Sequence, residues 1–210
     1  MAEAVHGGQY RFDFVGGVPC LDFANIVSGD RRTTPAEHLH GYGDLVSWGR
    51  QAGLVTPAQA RALLLRAQRD PAGAAEALAA AIDLREAVFE TFFALAEGKR
   101  PAAQNVKQLN RALADALSHR RVLPSGRGFA LGWDDSDDLR RMLWPVALSA
   151  AELLAVDHHP KIKLCGMWEA TGCSWLFVDE SRNGSRRWCS MKDCGNRAKA
   201  RRHYHRARRQ

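Results

Sequence analysis

Nowhere in the 210-residue sequence is there an apolar run long enough to cross a bilayer. The longest candidate, Met142 to Val156, is interrupted by Pro145 and Glu152 and falls short of the ~20 residues that a membrane-spanning helix needs. No membrane partner is expected. Met1 to Gln9 lacks the basic start and apolar stretch of a secretory signal, so a cytoplasmic location is expected. There is no Gly-rich phosphate loop, no nucleophile motif and no carboxylate pair at evident spacing, so the chain is not expected to be an enzyme. Cysteine is scarce, and of the five residues only Cys20 lies outside one short stretch.

What remains is ordinary globular composition, 46% hydrophobic and 25% charged, enough for one compact domain carrying a small appendage. Charge is unevenly spread. From Lys161 to Gln210 there are 13 Lys or Arg against 4 Asp or Glu, whereas residues 1–160 hold 17 basic and 19 acidic residues. A nearly neutral body with a basic tail points to a polyanionic partner, nucleic acid first and an anionic membrane surface second; a solvated basic face is the bland alternative.

The body reads as mostly helical. Thr56-Pro57 and Asp70-Pro71 are both an N-cap followed by proline at the first helical position. The first opens a helix with Ala60, Leu63, Leu64 and Ala67 on its apolar face, and the second a helix running to about Glu97 before Gly98. Leu45 and Trp48 anchor a shorter helix, and Pro101 opens another with Val106, Leu109, Leu113 and Leu117 at helical spacing. Asp135 or Ser136 is expected to cap a last body helix that Pro145 kinks or splits. Strand signals are short: Phe12 to Leu21 around Gly16-Gly17, and a hairpin between Arg121 and Trp133. Ser28 to Gly43 has no periodicity and reads as an exposed loop whose His38 and His40, like His6, are surface residues. Asp22 and Asn25 are expected to cap or form turns rather than line a pocket. Asp157 to Pro160 makes a natural boundary between a helical domain, 1–160, and a carboxy-terminal module, 161–210.

In that module Cys165 and Cys173 are separated by seven residues, Cys173 and Cys189 by fifteen, and Cys189 and Cys194 by four. Two short-spaced pairs joined by a mid-length connection suit a closed, structural zinc site. Two disulfides or an iron-sulfur cluster are the alternatives, but the unpaired Cys20 and the absence of a signal fit a reducing compartment, and tight ferredoxin-like cysteine runs are missing. Ser174 to Asp179 reads as a strand whose returning partner is Arg186 to Cys189, turned at Asn183-Gly184, with Trp175, Phe177 and Trp188 as a mini-core. So small a module draws much of its stability from the metal. After Cys194, Asn196 can cap a helix that is basic all round and has no apolar stripe. Such a helix suits a DNA backbone or groove through Asn196, Arg197, Lys199, Arg201, Arg202 and Arg206, joined by Arg186 and Arg187 of the finger.

The stretch Trp175-Leu176-Phe177, Asp179, Ser181-Arg182-Asn183, Arg186 to Met191 and above all Cys194-Gly195-Asn196-Arg197 followed by Lys199 resembles the CGNR zinc finger. Phe14, Gly16-Gly17 and Leu21-Asp22-Phe23-Ala24-Asn25, followed by a helical body, is similar to the ABATE domain that usually precedes that finger. The resemblance implies a bacterial stress-induced transcription regulator whose finger holds Zn2+ on Cys165, Cys173, Cys189 and Cys194 and binds DNA. The first knuckle is longer than the usual form, so His159 is the alternative to Cys165 as the fourth ligand. The expected protein is therefore mostly α with short β-hairpins, a helical domain plus a four-cysteine zinc finger. It binds DNA through the finger, while the body forms a homodimer, senses a small-molecule effector, or both. RNA binding or protein interaction through the zinc module is the alternative, for which exposed aromatics such as Tyr204 and Trp168 would speak.

Overall fold

The computed structural model describes residues 10–156 and 161–208. The fold is mostly α, with short two-stranded antiparallel hairpins. Its centre is α4 (Pro71–Ala96), whose buried Ala74, Ala77, Ala81, Leu84, Val88 and Phe92 recur at helical spacing. Asp70 caps it, accepting from the Gly73 amide at 2.9 Å, and Pro71 fits the first turn. Before it, α3 (Pro57–Arg69) opens with a reciprocal box in which Thr56 and Gln59 exchange side-chain-to-backbone bonds. Both proline-marked starts fall where the sequence puts them. α2 (Tyr42–Gln51) packs on α3 and α4, with Trp48 fully buried.

Elsewhere the chain departs from its reading. The Gly16-Gly17 segment is no strand pair: Val18 is extended, Pro19 takes the first helical position, and α1 (Pro19–Ala24) buries Cys20, Leu21, Phe23 and Ala24. Burial pushes the Cys20 thiol up to about 12, so it is an inert core residue. The expected loop from Ser28 holds a hairpin, β1 (Ser28–Asp30) and β2 (Thr34–Ala36). Behind α4, α5 (Ala103–Ser118) buries Leu109 and Ala116 but leaves Val106 and Leu117 exposed, so its stripe is only partly core. The hairpin expected next is present as β3 (Arg120–Ser125) and β4 (Gly128–Trp133). α6 (Leu143–Leu154) starts later than Asp135 and Ser136 suggest; Ser136 instead accepts from the Asp138 amide in a turn. Pro145 sits in the first turn of α6, where a missing N–H costs nothing, and so produces neither kink nor split.

A polar network ties β1–β2 to the helices. Arg85, buried on α4, forms a two-pronged pair with Glu37 at 2.7 and 2.8 Å and also reaches Glu86. Arg31 joins Glu86 to the Ala24 carbonyl and lies 3.8 Å over the Phe89 ring. Burial opposes ionisation of Glu37, but the Arg85 fork and the Leu39 and His38 amides outweigh it and bring the carboxyl down to about 2. This network fixes the end of α1, where Asn25 stands.

Candidate metal centre and basic helix

Strand β6 (Leu176–Asp179) is buried on both faces, and the alternation of side chains divides it between two cores. Leu176 and Val178 join the helical core, while Phe177 joins a second cluster with Cys165, Met167, Cys189 and Cys194. Trp175 and Trp188 pack on that second cluster, as the sequence suggests. The strand partner does not agree: β6 pairs with β5 (Lys161–Leu164), not with Arg186 to Cys189, which form no strand. The turn at Gly184 is present, closed by its amide on the Ser181 carbonyl at 2.8 Å.

The body grips this strand directly. The Asn25 carboxamide donates to the Leu176 carbonyl and accepts from the Leu176 amide, both at 2.8 Å, as a neighbouring strand would. The Val178 amide donates to Gly16 O at 2.9 Å, and Trp175 Nε1 to Val27 O at 3.1 Å. Asn25 is thus no pocket residue: it stands at the C-cap of α1, where its amide donates to Leu21 O at 3.0 Å, and its side chain serves as a clasp. Asp22 lies inside α1 rather than in a turn, and its carboxylate accepts from the Gly16 amide ahead of the helix at 2.7 Å. Burial pushes its carboxyl up to about 6, although the Gly16 and Val15 amides and Arg186 pull it down.

Four thiols converge where β5, α7 (Trp168–Thr171), the segment after Gly184 and a π-turn (Met191–Gly195) meet. Cys165 follows β5, and Cys173 follows Gly172, whose φ of 71° ends α7 and where a Cβ would clash with the Asp30 side chain. The ligand atoms of Cys165, Cys173, Cys189 and Cys194 all lie within 4.8 Å of one another, with Cys173–Cys189 at 3.7 Å and Cys189–Cys194 at 3.6 Å. Tetrahedral zinc with Zn–S near 2.3 Å requires sulfurs about 3.8 Å apart. None of these cysteines is in a disulfide. Hydrogen bonds from Cys173 and Cys189 favour the Cys165 thiolate and pull its thiol down, while the Cys165 hydrogen bond pushes Cys173 and Cys189 up. A thiolate shared among buried thiols is a donor set that a divalent ion completes. Cys165 therefore stands in the cluster, and His159, its substitute, lies outside the described residues, as do His6 and the Asp157 to Pro160 boundary.

The frame around the cluster contains residues that the sequence reading missed. Lys163 donates to Asp179 Oδ2 and to the Gly184 and Arg186 carbonyls. Hydrogen bonds from Lys163 and Ser181 hold the Asp179 carboxyl far below the usual range. Arg186, read as a DNA-facing residue, is turned inward instead: it donates to the carbonyls of Val15, Val178, Trp188 and Cys189 and lies 4.2 Å over Phe177. A planar fork can satisfy several converging carbonyls at once, which Lys cannot.

From the π-turn the chain enters α8 (Asn196–Ala207). Asn196 does not cap it; its side chain donates back to Lys192 O at 2.9 Å. Ala198 packs on the cysteine cluster, and Arg201 donates to Ala170 O, so one side of α8 faces the metal site. Arg197 is paired with Asp193 at 3.0 Å. Lys199, Arg202 and Arg206 follow at spacings of three and four, share one exposed flank, and have no partner among the described residues. Arg187 is exposed beside Trp188. Trp168 is not a free aromatic: Arg32 lies 4.0 Å over its ring, and Phe93 meets it edge-on. Tyr204 stays exposed, with Arg208 5.0 Å from its ring.

The chain matches two known families. Residues 17–157 match the ABATE family, described as a putative stress-induced transcription regulator, and residues 161–207 match the CGNR zinc finger. The chain belongs to the ABATE family. Among curated proteins none matches the chain. The two matches follow one another in the order the sequence resemblance implies, and the clasp residue Asn25 of the ABATE part holds a strand of the CGNR part. No helix of the described ABATE protein is long and apolar enough to cross a membrane.

Proposed function

We propose that the protein is a zinc-dependent, non-catalytic transcription regulator that binds duplex DNA through α8. One observation carries this reading: the basic helix is anchored on the cysteine cluster through Ala198 and Arg201, and its Lys199–Arg202–Arg206 flank has no partner among the described residues. Zinc, when bound by Cys165, Cys173, Cys189 and Cys194, closes a structural site and brings no open coordination position for chemistry. The ion fixes the π-turn, and the π-turn fixes the direction in which α8 leaves. Phosphate contacts then fall to Lys199, Arg202, Arg206 and Arg187, with Arg197, Arg201 and Asn196 serving the helix base. Arg186 belongs to the frame. The ABATE body is the part in which an effector would act and through which copies would associate, and the cytoplasm is its place of work.

Duplex DNA is favoured over RNA because the aromatic set is reduced to Tyr204 once Trp168 is occupied by Arg32 and Phe93. Competition of a random duplex pool against single-stranded and structured RNA, with the zinc-loaded full chain, tests the reading. Preference for duplex DNA supports it, and preference for RNA overturns it.

A further inference from the structure

The β3–β4 hairpin carries an apolar face that nothing among the described residues covers. Val122 pairs with Leu131 and Pro124 with Phe129, and alternation puts these four residues on one side. Val122, Phe129 and Leu131 are 66%, 76% and 65% exposed. No third strand joins the sheet among the described residues. A two-stranded hairpin alone is marginal in water, and an open edge is a template for another strand.

The two edges are not equivalent. The Asp134 amide donates to His119 O at 3.0 Å, which marks that pair as hydrogen-bonded. Going along the hairpin, hydrogen-bonded pairs alternate with open ones, so the outward amides and carbonyls belong to Arg120, Val122 and Pro124 on β3 and to Phe129, Leu131 and Trp133 on β4. Pro124 has no N–H and blunts the β3 edge. The β4 edge keeps every donor and acceptor.

We propose that the β4 edge is a self-association surface whose partner is a second copy of this chain, paired antiparallel about a two-fold axis at Leu131. Such an axis stands normal to the sheet, so residues that face one another point to the same side, and only registers pairing odd with odd positions are allowed. With Leu131 opposite Leu131 of the second copy, Phe129 meets Trp133 and Arg127 meets Asp135 across the axis. The charges fit: among the described residues Asp135, whose side chain is 95% exposed, is paired with Arg141 alone, at 3.7 Å, and Arg127 has no partner. A slip of two residues either way loses this match, setting Arg127 against Trp133 or Phe129 against Asp135. The resulting four-stranded sheet joins two ABATE bodies.

Sedimentation equilibrium of the zinc-loaded full chain tests the pairing. The wild type is expected to dimerise. Leu131→Lys sets two ammonium groups at the axis, and Arg127→Asp or Asp135→Arg sets like charges face to face; each raises the dimer dissociation constant about tenfold or more. The double variant Arg127→Asp/Asp135→Arg restores the pair with reversed signs and recovers the dimer. All three positions are exposed, and unchanged circular dichroism shows that the variants fold. A wild type that stays monomeric up to about 100 μM, single variants that dimerise normally, or a double variant that fails to recover would each overturn the proposal.

Discussion

Asn25 and Leu176, 151 residues apart, exchange two hydrogen bonds of 2.8 Å, so a side chain at the end of α1 acts as the missing neighbour of strand β6. The module bearing the cysteines is therefore no appendage on a tether. Its central strand has one face in the helical core and one face under the metal site.

Replacing Asn25 with Ala leaves the buried Leu176 amide and carbonyl without partners. Each such orphan costs about 1–3 kcal/mol, so Asn25→Ala should destabilise the protein by about 2–4 kcal/mol. Urea unfolding followed by circular dichroism measures this. A loss below about 0.5 kcal/mol would show that water replaces the clasp.

Removal of the metal should be felt unequally along the module. In Cys194→Ser, zinc is lost, and the π-turn and α8 should lose amide protection. Strand β6 should keep its protection, because Asn25, Gly16 and the core contacts of Leu176 and Val178 do not depend on the ion. Hydrogen exchange read by mass spectrometry distinguishes the two segments. Equal loss in β6 and α8 would refute the division of the strand between two cores.

The Glu37–Arg85 pair makes a pH-dependent contribution with a definite sign. The folded-state carboxyl is held down to about 2, below its ordinary value, so its contribution is fully present above the ordinary carboxylate range and is lost as pH falls through that range toward 2. Thermal unfolding of Glu37→Gln should lie below the wild type at pH 6, with the gap closing as pH drops from about 5 to about 2. A gap that is constant over that window would mean that the pair contributes nothing through ionisation.

The sequence disclosed what is local and missed what is distant. Thr56-Pro57 and Asp70-Pro71 announced their helices because a cap and a proline act within one turn. The cysteine spacing announced the metal site because thiolates at those intervals have few other uses. By contrast, β6 chose β5 over Arg186 to Cys189, and a pairing between segments is written in neither segment alone. Arg186 reads as one more cation in a basic tail until its carbonyl partners, one of them Val15, are seen. Val18-Pro19 was legible in principle as a helix start, but the alternation of Phe12 and Phe14 masked it.

The central claim is that a metal-anchored cationic flank of α8 holds DNA phosphates. The most direct test is the salt dependence of duplex binding by the zinc-loaded wild type and by Lys199→Ala/Arg202→Ala/Arg206→Ala. The account predicts weaker binding, with the slope of log K against log salt reduced by about 3, roughly one for each phosphate that a removed cation had neutralised. An unchanged slope would take this flank of α8 out of the interface and leave the basic tail a solvated face.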